Sequence, residues 1–185
     1  MAKRENPYEV AFAAYLRHRR VPYVAIHESH RHSLGDGSIK NLDYLISLPG
    51  GMSWLIDVKG RQFPGGGKQK QYWKNWATQE DLRGLSAWEQ LFGQGSCGLL
   101  VFAYLLTGEQ SPVAVPELFC HAGQWYAFLG IRWYDYASAA RVISPRWGTV
   151  ALPATRFREL ARPISEFLQP GRQVGDGIHS QSTVT

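Results

Sequence analysis

The apolar positions of the first half of the chain change from helical spacing to short strand-like runs. Asn6 is a favoured N-cap and Pro7 a favoured first helical residue, so a helix is predicted from there to about residue 20, ended by Pro22. Short apolar runs bounded by turn residues then predict three strands, at 23–29, 41–48 and 53–60. The polar stretch 31–40 between the first two strands is predicted to be a loop.

A long loop, a helix and a buried strand are predicted next. Residues 61–79 are rich in glycine and then in basic and aromatic residues, which is typical of a loop. Leu82, Leu85 and Trp88 recur at helical spacing and predict a helix over 80–93. The continuous apolar run at 97–106 predicts a strand in the middle of a sheet. The predicted core, residues 6–106, therefore has the order α-β-β-β-α-β.

The rest of the chain predicts an extension of the same domain. A hairpin is expected within 118–131, a short helix at 134–143, and a helix at 156–168 that Pro163 breaks. Residues 170–185 are rich in glycine, serine and threonine and are expected to be disordered. The pattern predicts one domain over residues 1–169, with residues 107–169 as the extension.

Composition narrows the class of protein. With 185 residues, of which 44% are hydrophobic, the chain suits one globular domain. Its net charge of +5 is compatible with a nucleic-acid partner, and equally with a basic protein that has none. Cys97 and Cys120 lack CxxC spacing, so we expect small buried residues of a reducing, cytoplasmic compartment. Neither a secretory signal nor an apolar run of membrane-spanning length is visible.

The strand at 53–60 carries a carboxylate and an ammonium near its end. Side chains alternate along a strand, so Asp57 and Lys59 share one face with Leu55, while Ile56 and Val58 belong to the other. One interpretation is an ion pair within the strand. The other is a functional site, because a half-buried carboxylate is unfavourable unless it is paired or bound to a cation.

Two further acids favour the site. Asp43 is a single acid in the preceding predicted strand, and antiparallel pairing would bring it beside Asp57, an arrangement that a divalent cation stabilises. Glu9 lies on the same helical stripe as Phe12 and Leu16, which points it toward the sheet. It also fits the third position of a capping box that begins at Asn6, and the two roles are compatible.

These residues resemble the PD-(D/E)XK nuclease superfamily. The resemblance is carried by a helix with an inward Glu9, then Asp43 on one strand, and Asp57 and Lys59 as the Asp-x-Lys of the next. Within that superfamily, the segment Tyr8–Phe12 looks like the HYExAFE family, an uncharacterised bacterial group, with Pro7 in place of its His and Ala13 in place of its last Glu. Leu42 stands where the superfamily usually has proline before the first Asp.

The resemblance implies a restriction-endonuclease-like α/β (α+β) fold and a metal-dependent nuclease. Asp43, Asp57, Glu9 and the carbonyl of Val58 would hold Mg²⁺, with Mn²⁺ as the alternative ion. The ion would activate water and neutralise charge on the phosphate, while Lys59 would orient the attacking water. DNA is favoured over RNA as the partner, no membrane is implied, and a homodimer is left open. The alternative is a non-catalytic nucleic-acid or protein interaction module that keeps the fold.

The predicted loop after the motif offers candidate nucleic-acid contacts. Basic and aromatic side chains interleave there, which suits phosphates and stacked bases. The candidates are Arg61, Lys68, Lys70, Tyr72, Trp73 and Lys74. The alternative is a solvated loop whose aromatic residues pack back onto the core.

Overall fold

The computed structural model describes residues 6–26, 33–34, 37–38, 40–66, 68 and 70–169. The tail at 170–185, part of the predicted loop at 31–40 and the end of the predicted strand at 23–29 lie outside the described residues. The helices are α1 (Pro7–His18), α2 (Gln79–Phe92), α3 (Trp133–Ala139) and α4 (Ala154–Leu160), with 3₁₀ turns at Val115–Glu117 and Ile164–Glu166. The strands up to α2 are β1 (Val24–Ala25), β2 (Ser33–Leu34), β3 (Gly37–Ser38), β4 (Tyr44–Ser47), β5 (Ser53–Phe63) and β6 (Ala77–Thr78). After α2 come β7 (Ser96–Leu106), β8 (Phe119–His121), β9 (Gln124–Arg132), β10 (Arg141–Ser144), β11 (Thr149–Ala151) and β12 (Arg162–Pro163).

A mixed sheet forms the centre of the molecule. Its strand order is β1-β4-β5-β7-β9-β12, and β8 pairs with the outer part of β9. Strands β4 and β5 are antiparallel, as predicted, whereas β5 and β7 run parallel over their full length because α2 carries the chain back between them. Counting the strands of this sheet alone, the α-β-β-β-α-β order and the mixed sheet with flanking helices are therefore confirmed. The predicted loop at 31–40 is corrected, since β2 and β3 pair with each other there.

The two faces of the sheet have separate apolar cores. Phe12 and Leu16 of α1 pack with Ile56 and Val58 on one face, and all four are buried. On the other face, Leu55 packs in the cluster that contains Leu85 of α2 and the centre of β7. The predicted alternation along β5 is thus confirmed, and Asp57 and Lys59 belong to the α2 face.

One predicted helix and one predicted loop differ from the structure. The helix predicted at 134–143 ends at Ala139, and Arg141–Ser144 is a strand instead. It contains two β-branched residues, Val142 and Ile143, which favour a strand, and Pro145 follows it directly. With β11 and β6 it forms a second sheet. The loop predicted at 61–79 is therefore shorter at both ends, because β5 continues to Phe63 and β6 occupies Ala77–Thr78.

Two predicted breaks in the chain are confirmed. The hairpin turn at Ala122 and Gly123 has positive φ at both positions, 49° and 75°. The helix predicted at 156–168 stops before Pro163, but the chain continues as β12 and a 3₁₀ turn rather than as a second helical segment. Because Pro163 has no amide hydrogen, its place in the edge strand of the sheet suits it.

Two further expectations concern membrane-spanning helices and the two cysteines. No helix among the described residues is long and apolar enough to cross a membrane. Cys97 and Cys120 are both free thiols, but the expectation that both are buried is wrong for Cys120, which is exposed in β8.

Candidate active site

Asp57 and Lys59 form a close ion pair on the α2 face of β5. The ammonium nitrogen Nζ of Lys59 lies 3.0 Å from Oδ1 and 2.7 Å from Oδ2 of Asp57. Both side chains are largely buried, with 11% of Lys59 and 7% of Asp57 exposed. The intra-strand ion pair that the sequence left open is therefore present.

Two residues that the sequence analysis did not select complete the charge network. Lys59 Nζ also lies 3.0 Å from Oδ2 of Asp81, at the start of α2. Lys40 forms a second ion pair with Asp81 and lies 3.8 Å from Oδ2 of Asp57. Two carboxylates and two ammonium groups therefore balance one another, and Lys59 is shared between both acids.

A capping box holds Asp81 in this position. The Asp81 amide donates to the Thr78 hydroxyl (3.1 Å), and the Thr78 amide donates to Asp81 Oδ2 (2.7 Å). Burial acts to raise the pKa of Asp81, but Lys59 and Lys40 outweigh it and hold the pKa at about 2. Thr78-x-x-Asp81 is a sequence signature of a helix start, and it was the available signal for this residue.

Asp43 lies directly before β4, at the point where β4 begins to pair with β5. Its Oδ2 accepts a hydrogen bond from the Val58 amide (2.6 Å), and its own amide donates to the Ile56 carbonyl (2.8 Å). Burial, then the charge of Asp57 and then that of Glu9 raise the pKa of Asp43, to about 8 in all. The Val58 hydrogen bond and Lys59 act in the opposite direction but do not outweigh them.

Glu9 approaches the same region from the other face of the sheet. Its carbonyl accepts from the Tyr44 hydroxyl (2.9 Å), and its Oε1 accepts from the Asn6 side-chain amide (2.5 Å). The predicted capping box is therefore modified, because Glu9 reaches the side chain of the N-cap residue rather than its main-chain amide. Asn6 itself caps the helix through the Tyr8 amide, 3.2 Å from its Oδ1.

Gly60 allows the start of α1 to lie against β5. A Cβ built on Gly60 would lie 2.1 Å from Cδ2 of Tyr8, so the ring occupies the space that any side chain would need. Tyr8 precedes Glu9 in α1, and Gly60 follows Lys59 in β5. This contact places the acid of α1 near the end of the Asp-x-Lys strand.

The chemistry of these donors fits a hard divalent cation. The Asp57 Oδ2 atom is buried and has no well-aligned hydrogen bond among the described residues, despite its ion pair with Lys59. The alternation of β5 directs the Val58 carbonyl to the same side as the Ile56 carbonyl, toward Asp43. Carboxylate and carbonyl oxygens are the ligands that Mg²⁺ prefers. Within the described part of the chain, however, no group of three or more acids, histidines or cysteines is drawn together closely enough to hold a metal ion.

Arg61 is buried rather than presented to a ligand. Its guanidinium donates to the carbonyls of Gly60 (2.6 Å) and Trp76, and lies 3.7 Å from the centroid of the Trp76 ring. Burial lowers the pKa of Arg61. These contacts favour a structural role for Arg61, which attaches the segment before β6 to β5.

The remaining candidates of the loop divide into packed and exposed side chains. The rings of Tyr72 and Trp73 lie edge-on to Phe63 at 5.4 and 5.3 Å, which favours the alternative in which the aromatic residues pack on the core. Lys74 is half-buried, whereas Lys68 and Lys70 are exposed. Only these last two lysines are presented to solvent among the six candidates.

Buried hydrogen bonds fix the second half of this loop. The Asn75 side chain donates to the carbonyls of Trp73 (2.9 Å) and Leu152 (3.0 Å) and accepts from the Leu152 amide (2.7 Å). The Tyr104 hydroxyl donates to the Lys74 carbonyl (2.8 Å). The segment that leads into β6 is therefore held in one conformation from both sides.

A separate cleft of about 320 Å³ lies away from these acids. It is bordered by α4, β12 and the segment before the first 3₁₀ turn, and it contains no carboxylate. Its lining is Trp73, Pro112, Val113, Leu129, Arg158, Ala161 and Pro163. None of the candidate catalytic residues reaches it, so the cleft and the charge network are different features.

Comparison with solved structures finds this fold in Hjc, a Holliday junction resolvase from the archaeal hyperthermophile Archaeoglobus fulgidus. The match has a TM-score of 0.52 at 11% identity and covers 88% of this chain and 98% of the resolvase chain. No family model and no curated protein matches the chain. The structural likeness shows that the chain has an α+β, restriction-endonuclease-like fold with a mixed sheet and flanking helices, as the sequence predicts.

Proposed function

We propose that this protein is a divalent-metal-dependent nuclease that hydrolyses phosphodiester bonds, with DNA as the favoured substrate. The observation that carries the proposal is the placement of Asp43, Asp57 and Lys59 together where β4 begins beside β5. The fold is that of a nuclease, and these three side chains are of the types that phosphodiester hydrolysis uses.

In this proposal Asp57, Asp43, Glu9 and the Val58 carbonyl hold the ion, Mg²⁺ or Mn²⁺. The bound ion supplies activation of water and neutralisation of phosphate charge. Burial and the charge of Asp57 raise the pKa of Asp43, and a cation is expected there because a bound cation stabilises both ionised acids together. Lys59 holds the attacking water or the phosphate through its ammonium, and Asp81 fixes the direction of that ammonium.

One observation favours the second function, a non-catalytic interaction module. Lys59 donates to two carboxylates and only 11% of its side chain is exposed, as expected for a structural ion pair. Catalysis requires that Lys59 contact a phosphate or water while it keeps Asp81 as its partner.

Two further proposals belong with the nuclease function. We propose membership of the HYExAFE family on the Tyr8–Phe12 resemblance, and a cytoplasmic location on the free thiols.

A cleavage assay tests the proposal. Single-stranded, double-stranded and branched DNA, with matched RNA, are incubated with the protein in Mg²⁺, Mn²⁺ or EDTA. We expect cleavage that requires the ion and is lost in Asp57→Ala, together with the heat of ion binding in calorimetry. Thermal unfolding of Asp57→Ala is measured in parallel. A folded wild-type protein that cleaves none of these substrates would replace the nuclease proposal by the interaction module.

A further inference from the structure

The β10–β11 hairpin exposes an unusual group of side chains. Trp147, in its turn, is 70% exposed, the highest value among the tryptophans of the chain. Val142 and Ile143 of β10 are 53% and 58% exposed. The inner side of the hairpin is buried through Val150, so the fold of the domain needs that residue but does not need Trp147. The exposed side chains therefore require another explanation.

Arginine accompanies these exposed side chains. Arg141 and Arg146 are exposed, and the Arg146 guanidinium lies 5.2 Å from the centroid of the Trp147 ring. From Arg132 to Arg162 the chain has six arginines but two acidic residues, Asp135 and Glu159. Tryptophan and arginine also occur together in protein interfaces, but the excess of arginine over acidic residues favours an anionic partner, and a polyanion whose bases can stack matches guanidinium groups beside an aromatic ring.

The hairpin is joined directly to the candidate active site. Thr149 of β11 pairs with Thr78 of β6, and the Gln79 amide donates to the Gly148 carbonyl (2.8 Å). Two residues after Gln79, Asp81 contacts Lys59 at 3.0 Å. A ligand on the hairpin turn would therefore lie next to the end of α2 that carries Asp81.

Trp76, the residue before β6, extends this surface toward β5. It is 44% exposed and lies two residues before Thr78, so that the alternation of a strand places both on the outer face. Its inner ring face is covered by the Arg61 guanidinium at 3.7 Å. Because Arg61 follows Lys59 by two residues on the same face of β5, Trp76 adjoins the charge network.

We infer that Trp76, Arg141, Arg146 and Trp147, the hairpin surface, bind an unpaired nucleic-acid strand beside the candidate active site. Trp147 stacks on a base, while Arg141 and Arg146 contact phosphates. The choice of nucleic acid as the occupant rests on the proposed function and on the arginine excess. A nuclease with this surface would act on substrates in which unpaired bases lie next to the cleaved phosphate.

Binding of a fluorescently labelled, single-stranded DNA oligonucleotide, measured by anisotropy in EDTA, tests the inference. Trp147→Ala is expected to weaken binding about 5- to 150-fold, the effect of losing one stacked base. Trp125→Ala is the matched control, because Trp125 is 51% exposed on β9 and outside the hairpin surface, and it should bind as wild type does. Trp147→Ala should weaken the binding of fully duplex DNA, measured by competition, less than it weakens the binding of the single strand. Thermal unfolding should be unchanged in both variants.

The salt dependence tests the arginines. Arg146→Gln is expected to reduce the slope of log K against log salt by about 0.7, the share of one phosphate contact on a single strand. Equal weakening by Trp147→Ala and Trp125→Ala, equal loss on duplex and single strand, or no binding by wild type would each overturn the inference. Binding is measured without a metal ion, so the two proposals can fail separately. If wild type cleaves DNA and Trp147→Ala binds the single strand as wild type does, only the inference about the hairpin surface is overturned. Normal stacking effects without any cleavage would instead overturn the nuclease proposal.

Discussion

The α2 face of β5 and its β4 edge differ in how their charges are balanced. On the α2 face, Lys59 and Lys40 meet Asp57 and Asp81 at contact distances, and the pKa of Asp81 is held at about 2. At the β4 edge, burial and the neighbouring acids Asp57 and Glu9 raise the pKa of Asp43 to about 8. The same strand thus carries a neutralised cluster on one face, while the acid at its edge is hindered from ionising.

Under the proposed function, this difference suits separate roles for the two regions. A neutralised cluster can hold Lys59 in a fixed direction without any ligand, which is what preorganised electrostatic stabilisation requires. A region with surplus acid is stabilised by a cation, which is what an ion-binding site requires. Single substitutions can alter the two regions separately.

The largest effect is expected for Lys59→Ala. Under the proposed function, removal of the ammonium should reduce cleavage in Mg²⁺ by about 10²–10³-fold, the typical effect of one lost electrostatic contact in the transition state. Nucleic-acid binding in Ca²⁺ should remain close to that of wild type. Lys59→Arg should not restore full activity, because a planar guanidinium does not replace a compact ammonium between two acids. Arg83→Ala, which removes an exposed cation of α2, is the control. A loss of binding with unchanged turnover would assign Lys59 to phosphate contact only.

Asp81→Asn should destabilise the α2 face. The substitution keeps an acceptor for the Thr78 amide but leaves two ammonium groups with one carboxylate. Breaking a fully buried pair costs about 3–5 kcal/mol, and because 37% of Lys40 is exposed we expect about 3 kcal/mol. Chemical denaturation measures it, with Glu80→Gln, at an exposed acid of the same first turn, as the control. The loss should be complete above about pH 4 and should shrink as the pH falls toward 2, because the stabilisation by the ionised Asp81 is lost over that range. Unchanged stability at neutral pH would remove Asp81 from the network.

The sequence predicts the strand that carries the site better than it predicts the network around it. Asp57 and Lys59 stand two residues apart in a strand, and their common face follows from local geometry alone. Lys40 and Asp81 join them only after the sheet and α2 have packed. Lys40 is 17 residues from Asp57 and Asp81 is 22 residues from Lys59, and such separations leave no periodic signal. The Thr78-x-x-Asp81 pattern predicts the capping role of Asp81 but not its contact with Lys59.

The same distinction applies to the fold. The places of α1, β4, β5, α2 and β7 follow from apolar residues that are buried, whereas β2, β3 and β6 are two-residue strands within segments predicted to be loops. The small β10-β11-β6 sheet does not follow in this way, because each strand is short and Val142 and Ile143 are exposed, so no alternation between core and solvent marks them. The burial of Arg61 is likewise a tertiary result, since it depends on carbonyls of a segment 15 residues further along the chain.

Gly60→Ala should displace the start of α1, and with it Glu9, from the β4 edge. The added methyl group would overlap the Tyr8 ring near its attachment point, which a rotation of the ring cannot relieve. We expect a loss of about 2 kcal/mol in the free energy of unfolding. Tyr8→Ala in the same chain should recover part of it, which distinguishes overpacking from a backbone effect. Gly108→Ala is the control, because a Cβ there meets its nearest neighbour, Pro64, at 3.6 Å. A neutral Gly60→Ala would show that α1 is not seated on β5 in this way.

The smallest effect, and the most specific one for the β4 edge, is expected for Asp43→Asn. The folded-state pKa of Asp43 is about 8 against an ordinary 3.8, so the folded protein keeps its proton more strongly than the unfolded chain does. Wild type should therefore lose stability as the pH rises from about 4 to about 8, and the Asn variant should lose less. Between pH 4 and pH 8.5 we expect the variant to gain about 1 kcal/mol relative to wild type, less than the full shift because Asp43 is half-buried and screened. Glu109→Gln, an exposed acid, should show no such gain. Mg²⁺ at pH 8.5 should raise the unfolding temperature of wild type more than that of Asp43→Asn, because an ion that binds only the folded state stabilises it. If the two chains instead follow the same pH curve and respond equally to Mg²⁺, the surplus charge at the β4 edge is not what attracts the ion.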